Sequence, residues 1–324
     1  MKMNRNLSLN LARVTEAAAL SAGKFQGKGD KNGADKAAVD AMRRMFDQIE
    51  IDGIVVIGEG EIDEAPMLYI GEHIGSDSKG YDKVDISVDP IDGTTAISEG
   101  RSNAIAVLAV SPRGTMLNAP DVYMKKIACG PRAKGCINLD DSPTENITRV
   151  AKALNKNISD VTVAVLDRPR HAEMIKEIRQ LGARIKKVSD GDILTAIEAC
   201  FDESGIDLMM GVGGAPEGVI AAAALKCLGG DFQGRLNPTD EAQKERCLKL
   251  HSDLNKIYTI EDLVKGDEVI FSATGVTTGE ILEGVKYHKN NMATTESLVL
   301  RLPSGTVRRI KSTHKLSQKP EYAK

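Results

Sequence analysis

A chain of 324 residues can bury a substantial core and is expected to fold as two domains. Its net charge of −3 (43 Lys and Arg, 46 Asp and Glu) gives no basic field to draw in nucleic acid, and 3% aromatics without Trp offer few surfaces for base stacking. The longest apolar runs, around Ala104–Val110 and Val219–Leu225, are too short to span a bilayer, so no membrane partner is expected. The first residues, Met1–Asn6, carry no signal-peptide core. The 5 cysteines contain no CxxC spacing and are expected as free thiols in a reducing cytoplasm. The 5 histidines lack ligand spacing, which argues against a His-based zinc site.

In chain order, Ser8 is expected to cap a first helix with Leu11, Val14, Ala18 and Ala22 on one face. Gly27–Ala34 reads as a loop, and a second helix follows from about Asp35, with Ala38, Val39, Met42, Met45 and Phe46 three or four apart. Ile54–Ile57 is a short strand ending in Gly58-Glu59-Gly60-Glu61. Val84, Ile86 and Val88 alternate with polar residues as a half-buried strand does, and Ala104–Val110 reads as a fully buried one. Residues 140–160 are polar and contain Pro143, so the domain junction is expected near 150, giving domains of 1–150 and 151–324.

Beyond that point strands at Val161–Leu166, Arg184–Val188 and Ile206–Met210 alternate with helices at His171–Leu181, Ile193–Phe201 and Pro216–Leu228. This α/β alternation predicts parallel βαβ units, whose ligands bind beyond the carboxyl ends of the strands. Those ends carry Asp167-Arg168-Pro169-Arg170, Ser189-Asp190-Gly191-Asp192 and Gly211–Glu217. Residues 235–267 read as a solvated helix with loops, and late strands are expected at Val269–Ser272, Leu298–Leu302 and Thr306–Ile310. Lys315–Lys324 is expected to fray.

The segment richest in chemistry is Asp89-Pro90-Ile91-Asp92-Gly93-Thr94. Pro90 should end the strand and Gly93 permit a sharp turn, and residues three apart in a turn approach within about 7 Å at Cα. Asp89 and Asp92 would then face one point, where two carboxylates repel unless a cation or proton lies between them. Thr94 adds a hydroxyl, and a helix starting there would offer N–H groups to an anion. Asp, Pro and Gly are also ordinary turn residues, but the strand in front and the hydroxyl behind favour a site for metal-assisted phosphoryl transfer.

Glu59 between two glycines reads equally well as a site or a surface turn. Gly29–Asp35 taken alone is a capped helix start, and Tyr123 taken alone is packing. Pro216 suits a first helical turn before Glu217, while the glycine spacing there is wrong for a dinucleotide site. Arg168 and Arg170 read either as solvated charges or as bidentate phosphate ligands.

Together these segments resemble the lithium-sensitive, metal-dependent phosphatase superfamily, which includes inositol monophosphatases and fructose-1,6-bisphosphatases. Gly29–Asn32 with Ala34-Asp35, Ile57–Met67, Asn118–Asp121 and Gly213–Gly218 narrow the resemblance to the bacterial class II fructose-1,6-bisphosphatases, from about Leu9 to His314. The resemblance implies a two-domain layered α/β sandwich of the sugar/inositol phosphatase type, with a metal site at the cleft between domains. It implies metal ligation by Asp35, Glu59, Asp89, Asp92 and Glu217, and catalytic roles for Thr94, Lys31 and Asp63. It implies substrate contacts at Asp92, Gly93, Thr94, Tyr123, Arg168, Pro169, Arg170, Asp190, Gly191, Asp192 and Gly214. Ala96-Ile97-Ser98 departs from the Thr-Ala pair that the family carries after the motif.

The implied activity is hydrolysis of fructose 1,6-bisphosphate to fructose 6-phosphate in gluconeogenesis, through in-line attack of a metal-bound water positioned by Thr94. Two or more Mg²⁺ or Mn²⁺ ions suit the oxygen-only ligand set. The implied partner is a small sugar bisphosphate, and the implied assembly is a homo-oligomer, a dimer or tetramer. Alternatives are a dual fructose/sedoheptulose bisphosphatase, another sugar or inositol phosphatase, or a non-catalytic sugar-phosphate sensor. A degenerate sensor should have lost a ligand or the threonine, and none is missing.

Overall fold

The structure, a computed structural model, describes residues 3–60, 67–76, 80–250 and 252–323. The chain runs α1 (Leu7–Ala22), α2 (Lys31–Phe46), β1 (Ile51–Ile57), β2 (His73–Ile74), β3 (Asp82–Asp92), α3 (Thr94–Ser98), β4 (Ile105–Pro112) and β5 (Tyr123–Cys129). It continues through α4 (Pro143–Leu154), β6 (Thr162–Leu166), α5 (Ala172–Leu181), β7 (Arg184–Val188), α6 (Asp192–Glu198), β8 (Leu208–Gly214), α7 (Ala215–Leu228) and β9 (Asp231–Leu236). The last elements are α8 (Glu241–Lys249), β10 (Tyr258–Thr259), α9 (Ile260–Leu263), β11 (Ile270–Gly275), β12 (Lys286–His288), β13 (Met292–Arg301) and β14 (Thr306–Lys315).

These elements form two compact units, Met1–Met116 with Gly266–Lys324, and Leu117–Lys265. The junction expected near 150 falls inside α4. Ser142 and Glu145 cap that helix reciprocally, Pro143 occupies its first turn, and Ile147, Val150 and Ala151 are buried in the second unit's core. Polar sequence there marks a helix start with one wet face, and the crossing points lie at Met116/Leu117 and Lys265/Gly266.

In the first unit the described strands form one sheet in the order β12-β13-β11-β4-β3-β1-β2, with β14 paired to β13. α1 and α2 bury Leu11, Val14, Ala38 and Met42 against Val84, Ile86, Val88, Leu108 and Val110. Ser8 does not cap α1: the helix starts at Leu7 and Ser8 is buried in its first turn. α2 starts earlier than expected, because the Asp30 carboxylate accepts from Gly33 N–H at 2.8 Å and caps it. The late strands β13 and β14 are longer than expected and pair over their whole length. The C-terminal residues do not fray within the described chain. Ser21 donates to the Tyr322 carbonyl at 2.7 Å, and Ala323 packs against Ala17 and Ala41.

In the second unit the sheet order is β10-β9-β5-β8-β6-β7. The expected parallel βαβ units are present, since β6 runs parallel to β7 and to β8. Antiparallel β5, β9 and β10 extend the sheet and make it mixed. Lys125-Lys126 and Gln233-Gly234-Arg235 interrupt the apolar alternation of β5 and β9, so neither strand stands out in the sequence. Ile147, Val150, Ile175 and Ile178 cover one face over Ile127, Val163 and Leu208, while Gly218 of α7 approaches Met124 and Phe232 from the other. β8 runs on to Gly214, so its glycines lie in a strand and not in a turn.

His314 on β14 is buried in the first unit, with Nε2 2.8 Å from the Thr295 hydroxyl. Burial, with Lys319 nearby, lowers its pKa to about 4. A depressed histidine contributes stability that is whole above the unfolded value of 6.5 and is lost as pH falls toward 4. We therefore expect the unfolding free energy to drop by about 2–3 kcal/mol across that window through this group. Urea titrations of wild type and His314→Gln at both ends should show the variant lacking that part of the slope.

Candidate active site

The first unit brings together the N-terminus of α2, the end of β1 and the end of β3. Pairing of β3 with β4 is regular up to Asp89 opposite Val107, and resumes with Asp92 opposite Ile105. Three steps on one strand thus match two on the other, a β-bulge. Residues three apart normally point to opposite faces; the extra residue turns Asp92 to the face that Asp89 occupies. The bulge replaces the turn expected at Pro90, and Pro90 itself remains within the strand. Ile91 N–H donates to Asp89 at 3.0 Å, which holds the bulge locally. Gly93 follows with φ +101°, in a region that favours glycine, and Thr94 opens α3. Ala96 and Ile97, where the family pattern departs, are buried in the core beneath.

Gly27 and Gly29 N–H groups donate to the Ile97 and Ser98 carbonyls, each at 2.9 Å, and so dock the approach to α2 on the end of α3. Lys31 reaches across to donate to the Thr95 hydroxyl at 2.9 Å. Asp35 lies one turn further along α2 and Glu59 follows β1. Gly58 serves chain packing, since a Cβ there would collide with the Leu68 carbonyl. Asp63 lies outside the described residues.

In the second unit the expected strand ends converge. Arg168 donates to the Ser189 carbonyl at 2.6 Å and pairs with Asp190 at 3.2 Å. Pro169 begins a short 3₁₀ turn that delivers Arg170 and His171. The Arg170 guanidinium donates to the Val212 carbonyl at 2.6 and 3.1 Å and lies 4.8 Å from the Tyr123 ring centroid. His171 is buried, with Nδ1 2.7 Å from the Leu166 carbonyl and Nε2 accepting from Val212 N–H at 2.8 Å. That bonding sets the neutral tautomer, in line with a pKa lowered by burial and by the neighbouring arginines. Gly191 precedes α6, whose first residue is Asp192.

Lys126, passed over in the sequence, lies at the centre of this unit's buried charges. Its ammonium is 2.6 Å from Asp192, donates to the Gly214 carbonyl at 2.7 Å, and belongs to a residue only 2% exposed. Side chains at Gly213 and Gly214 would collide with the Asp192 and Glu217 carboxylates respectively, so glycine makes room for both acids. The available signal was a lysine in register with Met124 and Ala128, on the strand's apolar face.

Three of the acids sit where their charged form is disfavoured. Burial, then repulsion from Asp35, pushes Glu59 up to about 8, and burial also raises Asp35. Glu217 is raised by burial and by Asp192 despite Lys126, and its Oε2 is buried without a hydrogen-bond partner among the described residues. Oxygen-only donors strained in this way fit a hard divalent cation. Among the described residues no three His, Cys, Asp or Glu side chains lie close enough to hold a metal ion.

A sequence profile described as "Bacterial fructose-1,6-bisphosphatase, glpX-encoded" matches residues 5–314. The chain belongs to this family. Curated relatives are the fructose-1,6-bisphosphatase 1 class 2 of Escherichia coli K12 and the fructose-1,6-bisphosphatase class 2 of Shigella flexneri. Each is 48% identical over 330 residues, covering 98% of this chain and 97% of the relative. As a bacterial fructose-1,6-bisphosphatase family member the chain is a phosphatase, with the two-unit layered α/β fold that the resemblance implied. No helix among the described residues is long and apolar enough to cross a membrane.

Removing Lys126 alone would leave Asp192 buried and unpaired. Lys126→Met should lower the unfolding free energy by about 3–5 kcal/mol, read by urea denaturation, whereas Lys126→Met with Asp192→Leu should recover most of that loss.

Proposed function

We propose that this chain hydrolyses the 1-phosphate of fructose 1,6-bisphosphate, yielding fructose 6-phosphate and phosphate in gluconeogenesis. The observation that carries the reading is the bulge and turn at Asp89–Thr94, two carboxylates on one strand face followed by a hydroxyl, in a chain of this family. Asp35, Glu59, Asp89, Asp92 and Glu217 are the proposed ligands of two or more Mg²⁺ or Mn²⁺ ions. When bound, such ions neutralise charge on the transferring phosphoryl group.

The chain's own residues do the rest in this reading. Thr94 orients the attacking water through its hydroxyl, in line with the leaving sugar oxygen, and Asp63 supports it as an acceptor. Lys31, which donates to Thr95, steadies the start of α3 and would offer its positive charge to the phosphoryl oxygens. Asp92, Gly93 and Thr94 cradle the reacting phosphate. Arg168, Pro169, Arg170 and Tyr123 take the second phosphate. Asp190, Gly191, Asp192 and Gly214 take the sugar hydroxyls. Binding the remote phosphate contributes energy that orients the reacting one. A cytoplasmic homo-oligomer, with sedoheptulose bisphosphate as a second substrate, belongs to the same proposal; kcat/KM on the two sugars decides the latter.

Phosphate release from fructose 1,6-bisphosphate with Mg²⁺ or Mn²⁺ tests the reading. Thr94→Ala should lower kcat by about 100-fold or more, with no phosphate trapped on the wild-type protein in a rapid quench. Trapped phospho-threonine would replace the direct attack of water by a two-step transfer. Arg170→Ala should lower kcat/KM for the bisphosphate by about 10–100-fold while leaving a small phosphate monoester nearly untouched. Equal loss on both substrates would remove Arg170 from the second-phosphate site.

A further inference from the structure

The first unit contains a second concentration of positive charge, remote in sequence from the Asp89–Thr94 turn. The start of α1 and the β13–β14 hairpin enclose a pocket of about 380 Å³, lined by Arg5, Ser8, Arg301, Ser304, Thr306 and Arg308 among others. No acidic residue lines it. Arg301 is 6% exposed, yet its Nε and Nη2 find no hydrogen-bond partner among the described residues. Its ion pair with Glu268 spans 3.7 Å, beyond hydrogen-bond length. Ser8 is 3% exposed and its hydroxyl is likewise without a partner among the described residues.

The helix end adds to this. α1 is 16 residues long and begins with no acidic residue in its first turn and no side-chain cap. Its first N–H groups are met within the chain, Leu7 by the Asn4 carbonyl and Leu9 and Asn10 by the Asn6 carbonyl, so the helix end contributes only the positive pole of its dipole. Buried donors without acceptors are rare in folded proteins and call for an explanation, here a missing acceptor.

We propose that this pocket binds a phosphate group, as the free ion or as the end of a small monoester. Three guanidinium groups and the Ser8 hydroxyl supply donors from several directions beside the positive pole of α1, which suits a tetrahedral oxyanion better than a planar carboxylate. Thr306 donates to the Ser304 hydroxyl at 2.8 Å, which holds the hairpin side of the pocket in place. None of the residues lining the pocket is among the proposed catalytic or substrate-binding residues. Occupancy would tie the first turn of α1 to the β13–β14 hairpin.

Equilibrium dialysis of the full chain against radiolabelled inorganic phosphate tests this, with Arg301→Gln, Arg308→Gln and Arg170→Ala beside the wild type. Arg301→Gln and Arg308→Gln should each weaken one phosphate by about tenfold or more while leaving fructose 1,6-bisphosphate turnover within about twofold. Arg170→Ala should keep that phosphate. Should Arg301→Gln misfold, the exposed Arg308 carries the test alone. Competition by glycerol phosphate distinguishes the two sources, tighter binding assigning the pocket to monoesters and weaker binding to the free ion. Wild-type phosphate binding in both arginine variants would overturn the proposal. So would a changed sedimentation coefficient in Arg308→Gln with phosphate binding intact, which would make the pocket an interface between copies. Dialysis does not depend on turnover, so a failure of the catalytic reading would leave this result standing.

Discussion

One extra residue in β3 organises the reacting half of the molecule. Without the bulge, Asp89 and Asp92 would point to opposite faces of the sheet, one of them into the apolar layer that Val84, Ile86 and Val88 form with α1 and α2. With it, both acids leave that layer, and Gly93 in a left-handed conformation turns the chain straight into α3. The site thus depends on an irregularity within an antiparallel ladder that is regular on the approach to it. Pairing with β4 holds β3 on both sides of the extra residue, opposite Val107 before it and Ile105 after it.

The second unit handles buried charge by a different device. It buries Asp192 and Glu217 beside one another and supplies Lys126 from the neighbouring strand as an internal cation. Glycine at 213 and 214 leaves the volume that the two carboxylates occupy. The pair Lys126–Asp192 holds a geometry more than it adds stability, since a buried ion pair barely offsets its own desolvation. His171 does similar work without charge, bridging the ends of β6 and β8 so that Arg168 and Arg170 leave the strand in fixed directions.

Much of this was legible in the residues themselves. Apolar alternation located β3 and a continuous apolar run located β4; β6 and β7 were placed closely too, and the strand ends that carry Arg168, Arg170, Asp190 and Glu217 lie in one unit. The bulge was read as a turn because Asp-Pro and Asp-Gly-Thr are turn sequences, and only the partner strand reveals which of two ladders continues. β5 was missed for a physical reason. Lys126 looks like a surface charge until Asp192 and the Gly214 carbonyl, both far away in sequence, are seen to satisfy it. The unit boundary was missed because the first unit is built from two separated pieces of chain, and polar composition near residue 150 reflects only one wet face of α4.

That discontinuity bears on how the protein is made. During synthesis β4 leaves the ribosome with β3 as its neighbour, but its other edge is meant for β11, which follows only after the whole of Leu117–Lys265. The contiguous second unit has all its strands in hand before then, and domains generally fold as units as they emerge. The first sheet must wait with an open edge at β4, whose residues Ile105–Val110 are apolar and fully buried in the finished protein. For this chain the hazardous interval is the time taken to translate an inserted domain, and that edge is where a nascent chain would first pair with the wrong partner.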